Sequence, residues 1–147
     1  MKKGVDYIGV GVGAAIFNEK GEILLALRGA KAKNERGKWE IPGGGVEFNE
    51  TFEQAIKREI KEELGVEIAV GELLALCSHI ILDEKQHWVS PTYMCRITKG
   101  KPKIKEAEKC AGLRWVSVKD AEKLALSLIT QYDMKQLKKK YPKGVLL

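Results

Sequence analysis

Apolar and polar positions change period several times along this chain, and each change marks an element. Over residues 7–17, Val10, Val12, Ala14 and Ile16 alternate with glycines and small residues, the period-two pattern of a strand with one nearly bare face. Bare faces let another group approach the backbone closely. The glycines do not make a dinucleotide-binding fingerprint, because the turn Asn18-Glu19-Lys20-Gly21 and a second strand over 22–28 follow where that motif needs a helix. The two strands read as a hairpin. A polar loop, GAKAKNERGK, then carries Lys31, Lys33, Arg36 and Lys38, and Trp39-Glu40-Ile41 leads into a break at Pro42-Gly43-Gly44-Gly45.

The period becomes 3.6 over residues 51–64. Thr51 and Gln54 have the spacing of a capping box, and Gly65 lies where a left-handed residue closes a helix. Strands follow over 67–82, 87–96 and 113–118, the first two joined through residues 82–86. Ser117-x-x-Asp120 has the form of a cap for a short helix, and a last helix covers Leu128–Lys140. Neither repeats nor a low-complexity linker interrupt this order. Strands outnumber helices in mixed order, which indicates an α/β or α+β fold with helices packed on a sheet, in one domain over 1–147.

The helix over 51–64 has an unusual charge distribution. Phe52, Ile56, Ile60 and Leu64 form its apolar stripe, and at 100° per residue Glu59 and Glu63 fall within about 20° of Phe52, on the edge of that stripe. Glu62 lies at about −80° and Arg58 at about −120° from Phe52. Like charges one turn apart cost about 0.2–0.5 kcal/mol per pair on an exposed helix, and more when desolvated. Arg58 can neutralise part of the charge but not three carboxylates. A hard divalent cation with oxygen ligands, Mg²⁺ or Mn²⁺, explains the cluster economically; the alternative is a solvated helix whose charges serve solubility alone.

The rest of the chain narrows the function classes. Its 147 residues carry a formal net charge of +6, which suits an anionic partner. The basic residues are scattered without interleaved aromatics, so specific nucleic-acid binding is not expected. Cys77, Cys95 and Cys110 are widely spaced, suggest neither disulfides nor zinc, and fit a reducing cytoplasm. Asp6 interrupts the apolar N-terminal stretch, so no signal peptide is expected, and no run reaches the roughly 18 apolar residues of a membrane helix.

Gly44, then Glu50 after five residues, then, after seven more, Arg58-Glu59-Ile60-Lys61-Glu62-Glu63-Leu64-Gly65-Val66 resemble the box G-x5-E-x7-R-E-U-x-E-E-x-G-U of the Nudix hydrolases. Seven fixed residue types at roughly 7% usage each would match by chance on the order of once in 10⁸ starting points. The approach Trp39-Glu40-Ile41-Pro42-Gly43-Gly44 is similar to the family's as well. The resemblance implies an α/β/α sandwich with a mixed sheet and the box as loop, helix and loop. It implies metal-dependent hydrolysis of a nucleoside diphosphate linked to another moiety. Glu59, Glu62, Glu63 and the backbone carbonyl of Gly43 would hold Mg²⁺ or Mn²⁺, Arg58 would hold a box glutamate in place, and Glu59 would take the proton of the attacking water. Glu108 is a second candidate base and Glu47 a candidate outer ligand. Glu50 either joins this network or is only a negative charge at the helix N-terminus.

Outside the box, Arg28 is a candidate phosphate contact because its fork of donors suits phosphate geometry, or else a solvated strand end. Lys31, Lys33, Arg36 and Lys38 raise the local potential. His79 and His87 show no metal-ligand spacing; His87 with Trp88 is a candidate for base stacking. Trp39, Trp115 and Tyr132 read as core. The stretch Ile80-Ile81-Leu82-Asp83 lacks the proline and tyrosine that mark ADP-ribose and dinucleoside polyphosphate branches of the family. GGGVEFNET, EKQHWVSPTYMCRI and EAEKCAGLRWVSV resemble the MutT-like branch, which implies a homodimer cutting nucleoside triphosphates to monophosphate and pyrophosphate. An ADP-ribose or nucleotide-sugar pyrophosphatase is the alternative enzyme, and a nucleotide-sensing or RNA-binding module the alternative without catalysis.

Overall fold

The computed structural model describes residues 1–32 and 34–145. Lys33 of the basic loop and the last two residues of the expected 1–147 domain lie outside the described residues. The elements follow in the order β1 (Gly9–Ile16), β2 (Ile23–Arg28), β3 (Trp39–Glu40), β4 (Gly43–Gly45), α1 (Phe52–Leu64), β5 (Glu67–Ile81), a 3-10 turn (Leu82–Glu84), β6 (Gln86–Lys99), β7 (Cys110–Val116), α2 (Val118–Ala121) and α3 (Leu128–Lys140). One mixed sheet has the order β4-β1-β6-β5, with β1 and β6 parallel and the other pairs antiparallel. The second, β3-β2-β7, is antiparallel.

Two expectations about pairing are corrected here. β1 and β2 do not form a hairpin ladder; they belong to different sheets, are joined at the bridge between Phe17 and Ile23, and pack together through side chains such as Val12 and Leu24. The turn between them forms, with Asn18 Oδ1 accepting from the N–H groups of Lys20 and Glu22 and Gly21 at φ +76°. Both edges of β1 are already taken by β4 and β6, so β2 pairs elsewhere. The expected break at 42–45 contains a strand, because Gly43, Gly44 and Gly45 pair with Gly13, Val12 and Gly11. A Cβ on Gly43 would lie 2.0 Å from the Val12 carbonyl oxygen, so only glycine allows this approach.

Side-chain alternation along β1 sorts the layers. Val12, Ala14 and Ile16 pack with Ala55, Ile56, Ile60 and Leu64 of α1, while Ala15 and Phe17 pack on the opposite side with Met134 and Leu137 of α3. The helices thus cover opposite faces, the expected α/β/α arrangement in a mixed α+β fold. The capping box of α1 is complete: Gln54 N–H donates to Thr51 Oγ1, Thr51 N–H donates to Gln54 Oε1, and Gly65 closes the helix at φ +70°. Trp39 and Tyr132 are half-buried against the α3-side core, and Trp115 against the α1-side core. Among the described residues no helix is long and apolar enough to cross a membrane.

Candidate active site

The bare face of β1 is the floor of a cavity of about 250 Å³. Gly11 and Gly13 pair beside Gly45 and Gly43 on one side and reach Ser90 and Thr92 of β6 on the other. Because side chains alternate, the residues of β5 and β6 on this face include His79, Trp88, Ser90 and Thr92, and these four line the cavity. The same alternation sends His87 to the opposite face of the sheet, where its Nε2 lies 3.1 Å from Ser78 Oγ. His87 is therefore not at the cavity, and His79 and Trp88 are.

At one end of the cavity the box helix presents Glu59 and Glu63. Gly44 lies directly against Glu59: a Cβ there would be 2.2 Å from the carboxyl carbon. Arg58 organises the charges around it. Its Nε and Nη2 donate to the two oxygens of Glu50 at 2.6 and 2.9 Å, Nη1 donates to Glu59 Oε1 at 2.9 Å, and Nη2 also donates to the Gly45 carbonyl at 3.0 Å. Glu50 thus joins the network, and its carboxyl is held down to about 2 by the Arg58 hydrogen bonds and then by the Glu47 N–H. The guanidinium pKa is raised by the same carboxylates.

Glu63 has the opposite environment. Burial, followed by the negative charges of Glu59, Glu40 and Glu106, pushes its carboxyl up to about 9. Glu40 is also raised by burial, although Arg28 Nη1 donates to both of its oxygens at 2.7 Å. Arg28 is therefore neither free nor solvated; it lines the cavity while engaged with Glu40 and with the Asn34 carbonyl at 2.7 Å. Lys31 lines the cavity too, whereas Arg36 pairs with Glu84 at 3.3 Å.

Other expected residues lie apart from this centre. The Glu62 side chain is 55% exposed, accepts from Arg58 at 3.3 Å and is not in the cavity wall. Glu47 lies 3.8 Å from Arg58 on the exposed rim. Glu108 is 71% exposed and paired with Lys31 at 3.1 Å, and Glu106, two residues earlier, occupies the cavity wall instead. Among the described residues no three His, Cys, Asp or Glu side chains are arranged as a ready cation cage. The donor chemistry nevertheless fits a hard divalent cation: two half-buried carboxylates, Glu59 and Glu63, stand beside the backbone of β4, and burial with neighbouring negative charge raises the Glu63 carboxyl, a burden that a cation relieves.

The opposite end of the cavity was not anticipated from the sequence. Asp133 of α3 is 1% exposed and lines it, accepting a 2.7 Å hydrogen bond from Thr92 Oγ1. The sequence carried a signal: Thr130, Asp133, Met134 and Leu137 form the buried stripe of α3, and an aspartate on such a stripe is rarely there for solubility. Glu35 is a further addition. Its carboxylate accepts from the Leu128 N–H at 2.8 Å and approaches His79 Nε2 at 3.6 Å, tying the basic loop to α3.

Known proteins are similar to this chain. The CTP pyrophosphohydrolase of Escherichia coli (strain K12) is 50% identical over 62 residues, 42% of this chain and 45% of that protein. The 8-oxo-dGTP diphosphatase of Proteus vulgaris is 38% identical over 79 residues, 54% of this chain and 67% of that protein. A crystal structure of a MutT NUDIX hydrolase from Burkholderia pseudomallei is 36% identical, covers 90% of this chain and 99% of its own, and superposes with a TM-score of 0.78. The chain spans 30%, 45% and 28% of three curated relatives, less than half of each. The NUDIX domain family model matches residues 8–137, and the chain belongs to that family.

Proposed function

We propose that this protein hydrolyses a nucleoside triphosphate to the monophosphate and pyrophosphate, using Mg²⁺ or Mn²⁺. The observation that carries the reading is the pair Glu59 and Glu63, half-buried at one end of a cavity of about 250 Å³ whose remaining wall includes Trp88, Ile129 and Asp133. Anionic phosphates belong at that end only if a cation intervenes, and a nucleoside fits the rest. Relatives named CTP pyrophosphohydrolase and 8-oxo-dGTP diphosphatase agree with a nucleotide substrate.

In this reading Glu59, Glu62, Glu63 and the Gly43 carbonyl would hold the cation. A bound divalent cation would supply charge neutralisation at the pyrophosphate and acidification of the attacking water. Glu59 takes the proton of that water, and Arg58 fixes Glu59 in one position by sharing its fork with Glu50. Arg28 holds Glu40 in the wall and meets phosphate only with the donors Glu40 leaves it. Lys31 and Lys109 place positive charge along the cavity. Glu108, facing solvent, acts on the reaction at most through Lys31.

The reading extends to the whole chain, working as a homodimer in a reducing cytoplasm without specific nucleic-acid binding. Exposed Val10, Leu76 and Ile80, on the sheet face away from the cavity, support a partner copy. The buried Cys95 thiol, pushed up to about 12 by burial, is inert.

The test is release of pyrophosphate and inorganic phosphate from canonical and oxidised nucleoside triphosphates, ADP-ribose and nucleotide sugars, with Mg²⁺, with Mn²⁺ and with chelator. Chelator-sensitive pyrophosphate from triphosphates is expected. Turnover of ADP-ribose alone would overturn the triphosphate assignment, and no turnover at all would leave a binding module.

A further inference from the structure

Asp133 is a fully buried carboxyl of the cavity wall that the hydrolytic reading does not use. Its Oδ2 accepts from Thr92 Oγ1 at 2.7 Å, while Oδ1 is buried without a hydrogen-bond partner among the described residues. A buried acceptor left unpaired costs roughly 1–3 kcal/mol, more when it carries charge. Its neighbour on the helix, Thr130, is satisfied: Oγ1 accepts from the Ile41 N–H at 3.0 Å and from Ser127 Oγ at 2.9 Å. The Asp133 vacancy is therefore particular to one oxygen, and that residue faces a cavity.

Its position relative to the box is fixed by strand register. Gly43 pairs with Gly13, and Gly13 pairs with Thr92, which holds Asp133. Two strand spacings, roughly 10 Å, separate β4, whose Gly44 lies against Glu59, from β6, whose Thr92 holds Asp133. The floor between is glycine backbone, on which a Cβ at Gly13 would lie 3.0 Å from Thr92 Oγ1.

We propose that Asp133 reads the nucleobase, its Oδ1 accepting a hydrogen bond from an exocyclic amino group, so that the substrate is an amino-bearing nucleotide. This rests on the nucleotide reading above and names the class of base. The Thr92 hydroxyl locks the carboxyl by occupying Oδ2 and leaves Oδ1 for the ligand. A base presenting a carbonyl oxygen at that point sets two acceptors against each other. Burial alone drives the carboxyl up to about 7 despite the Thr92 hydroxyl, and an N–H donor from the ligand relieves that burden.

Calorimetric binding of two matched pairs, CMP against UMP and AMP against IMP, in which an amino group faces a carbonyl, tests the assignment without requiring hydrolysis. In the wild type the amino member of at least one pair binds about tenfold tighter or more, the scale of one hydrogen bond to a charged group. Asp133→Asn, close in shape, brings that ratio to about one, since the amide can turn its donor toward either base. An unchanged ratio in a folded Asp133→Asn protein, or no preference in the wild type, overturns the proposal. If Asp133→Asn does not fold, Thr92→Val decides, because it keeps the carboxyl and removes its lock: a shifted ratio supports the assignment and an unchanged one sinks it. Triphosphate turnover is scored on the same preparations. A base preference that depends on Asp133 without triphosphate turnover would reject the reaction and keep this site; turnover with indifferent binding would do the reverse.

Discussion

At the box end of the cavity, Glu50, Glu59 and the Gly45 carbonyl share one guanidinium, whereas at the other end a single hydroxyl attends the Asp133 carboxyl. Both ends hold carboxyl groups largely screened from water, and they solve the problem differently. The first compensates charge locally: Arg58 follows Glu50 by eight positions and precedes Glu59 by one, so the helix and its leading loop bring them together. The second assembles across the fold, since Thr92 and Asp133 are 41 positions apart on β6 and α3. The compensated end is built to be rigid, as catalytic positioning requires. The uncompensated end is left open to whatever ligand satisfies it.

The contrast can be broken most forcefully at Glu59. With Glu59→Gln, kcat/KM for the preferred triphosphate is expected to fall by about 10²–10⁴, the worth of a positioned general base, while nucleotide binding at the Asp133 end persists. Steady-state pyrophosphate release and product binding check the two halves. Undiminished turnover would remove Glu59 from the chemistry.

Gly44→Ala comes next. The new methyl would lie 2.2 Å from the Glu59 carboxyl carbon and must displace it, and a displacement of about 1 Å can cost on the order of 100-fold in rate. Because the clash meets a movable side chain, the unfolding temperature should change much less than the activity does. A large loss of both would mean that the strand itself had been displaced.

Arg58→Lys sharpens the box end alone, replacing a fork with a point charge. The Glu50 carboxyl sits at about 2 against an ordinary 4.5, so its contribution to stability is present above pH 4.5 and is lost as pH falls toward 2. In the variant this depression is smaller, and the contribution disappears at higher pH. Acid unfolding followed by circular dichroism should therefore begin earlier on the descending scale.

The smallest effect is at Asp133, and it has the opposite sign. Its carboxyl is raised from 3.8 to about 7, so the protonated form favours the folded state; this contribution is full below pH 3.8 and is lost as pH rises through 7. Asp133→Asn, which cannot ionise, should remove that downward slope of unfolding temperature, a matter of a few degrees by scanning calorimetry. An identical slope in the variant would assign it to another group.

These two ends also mark how far the sequence could be read. The box, its cap at Thr51 and Gln54 and its close at Gly65 are local spacings, and the helix has the bounds those residues dictate. Glu59 and Glu63 point inward as the helical angles require. What escaped notice depends on partners distant in sequence. Whether β1 pairs with β2 or with β6 is decided by which edges are occupied, and nothing within residues 7–28 encodes that choice. His79 and His87 face opposite sides of the sheet because their separation crosses the β5–β6 turn, where two strands count their alternation from different origins. Glu106 and Glu108 fall on either side of a similar ambiguity, in a loop without a period. Asp133 alone was within reach, as a carboxylate on an apolar helical stripe.

The glycine row of β1 has a consequence for how this protein can diversify. Gly11 and Gly13 set the depth of the cavity from one strand, while Glu59 and Glu63 set its reactivity from a helix. Size and chemistry are therefore written on separate segments of the chain. A descendant that exchanges one of these glycines for alanine brings a methyl group to 2.9 Å from Ser90 Oγ or 3.0 Å from Thr92 Oγ1, so it crowds that hydroxyl and narrows the guests admitted while Glu59 and Glu63 stay on their own helix. Such a molecule could change its diet in one step and keep its teeth.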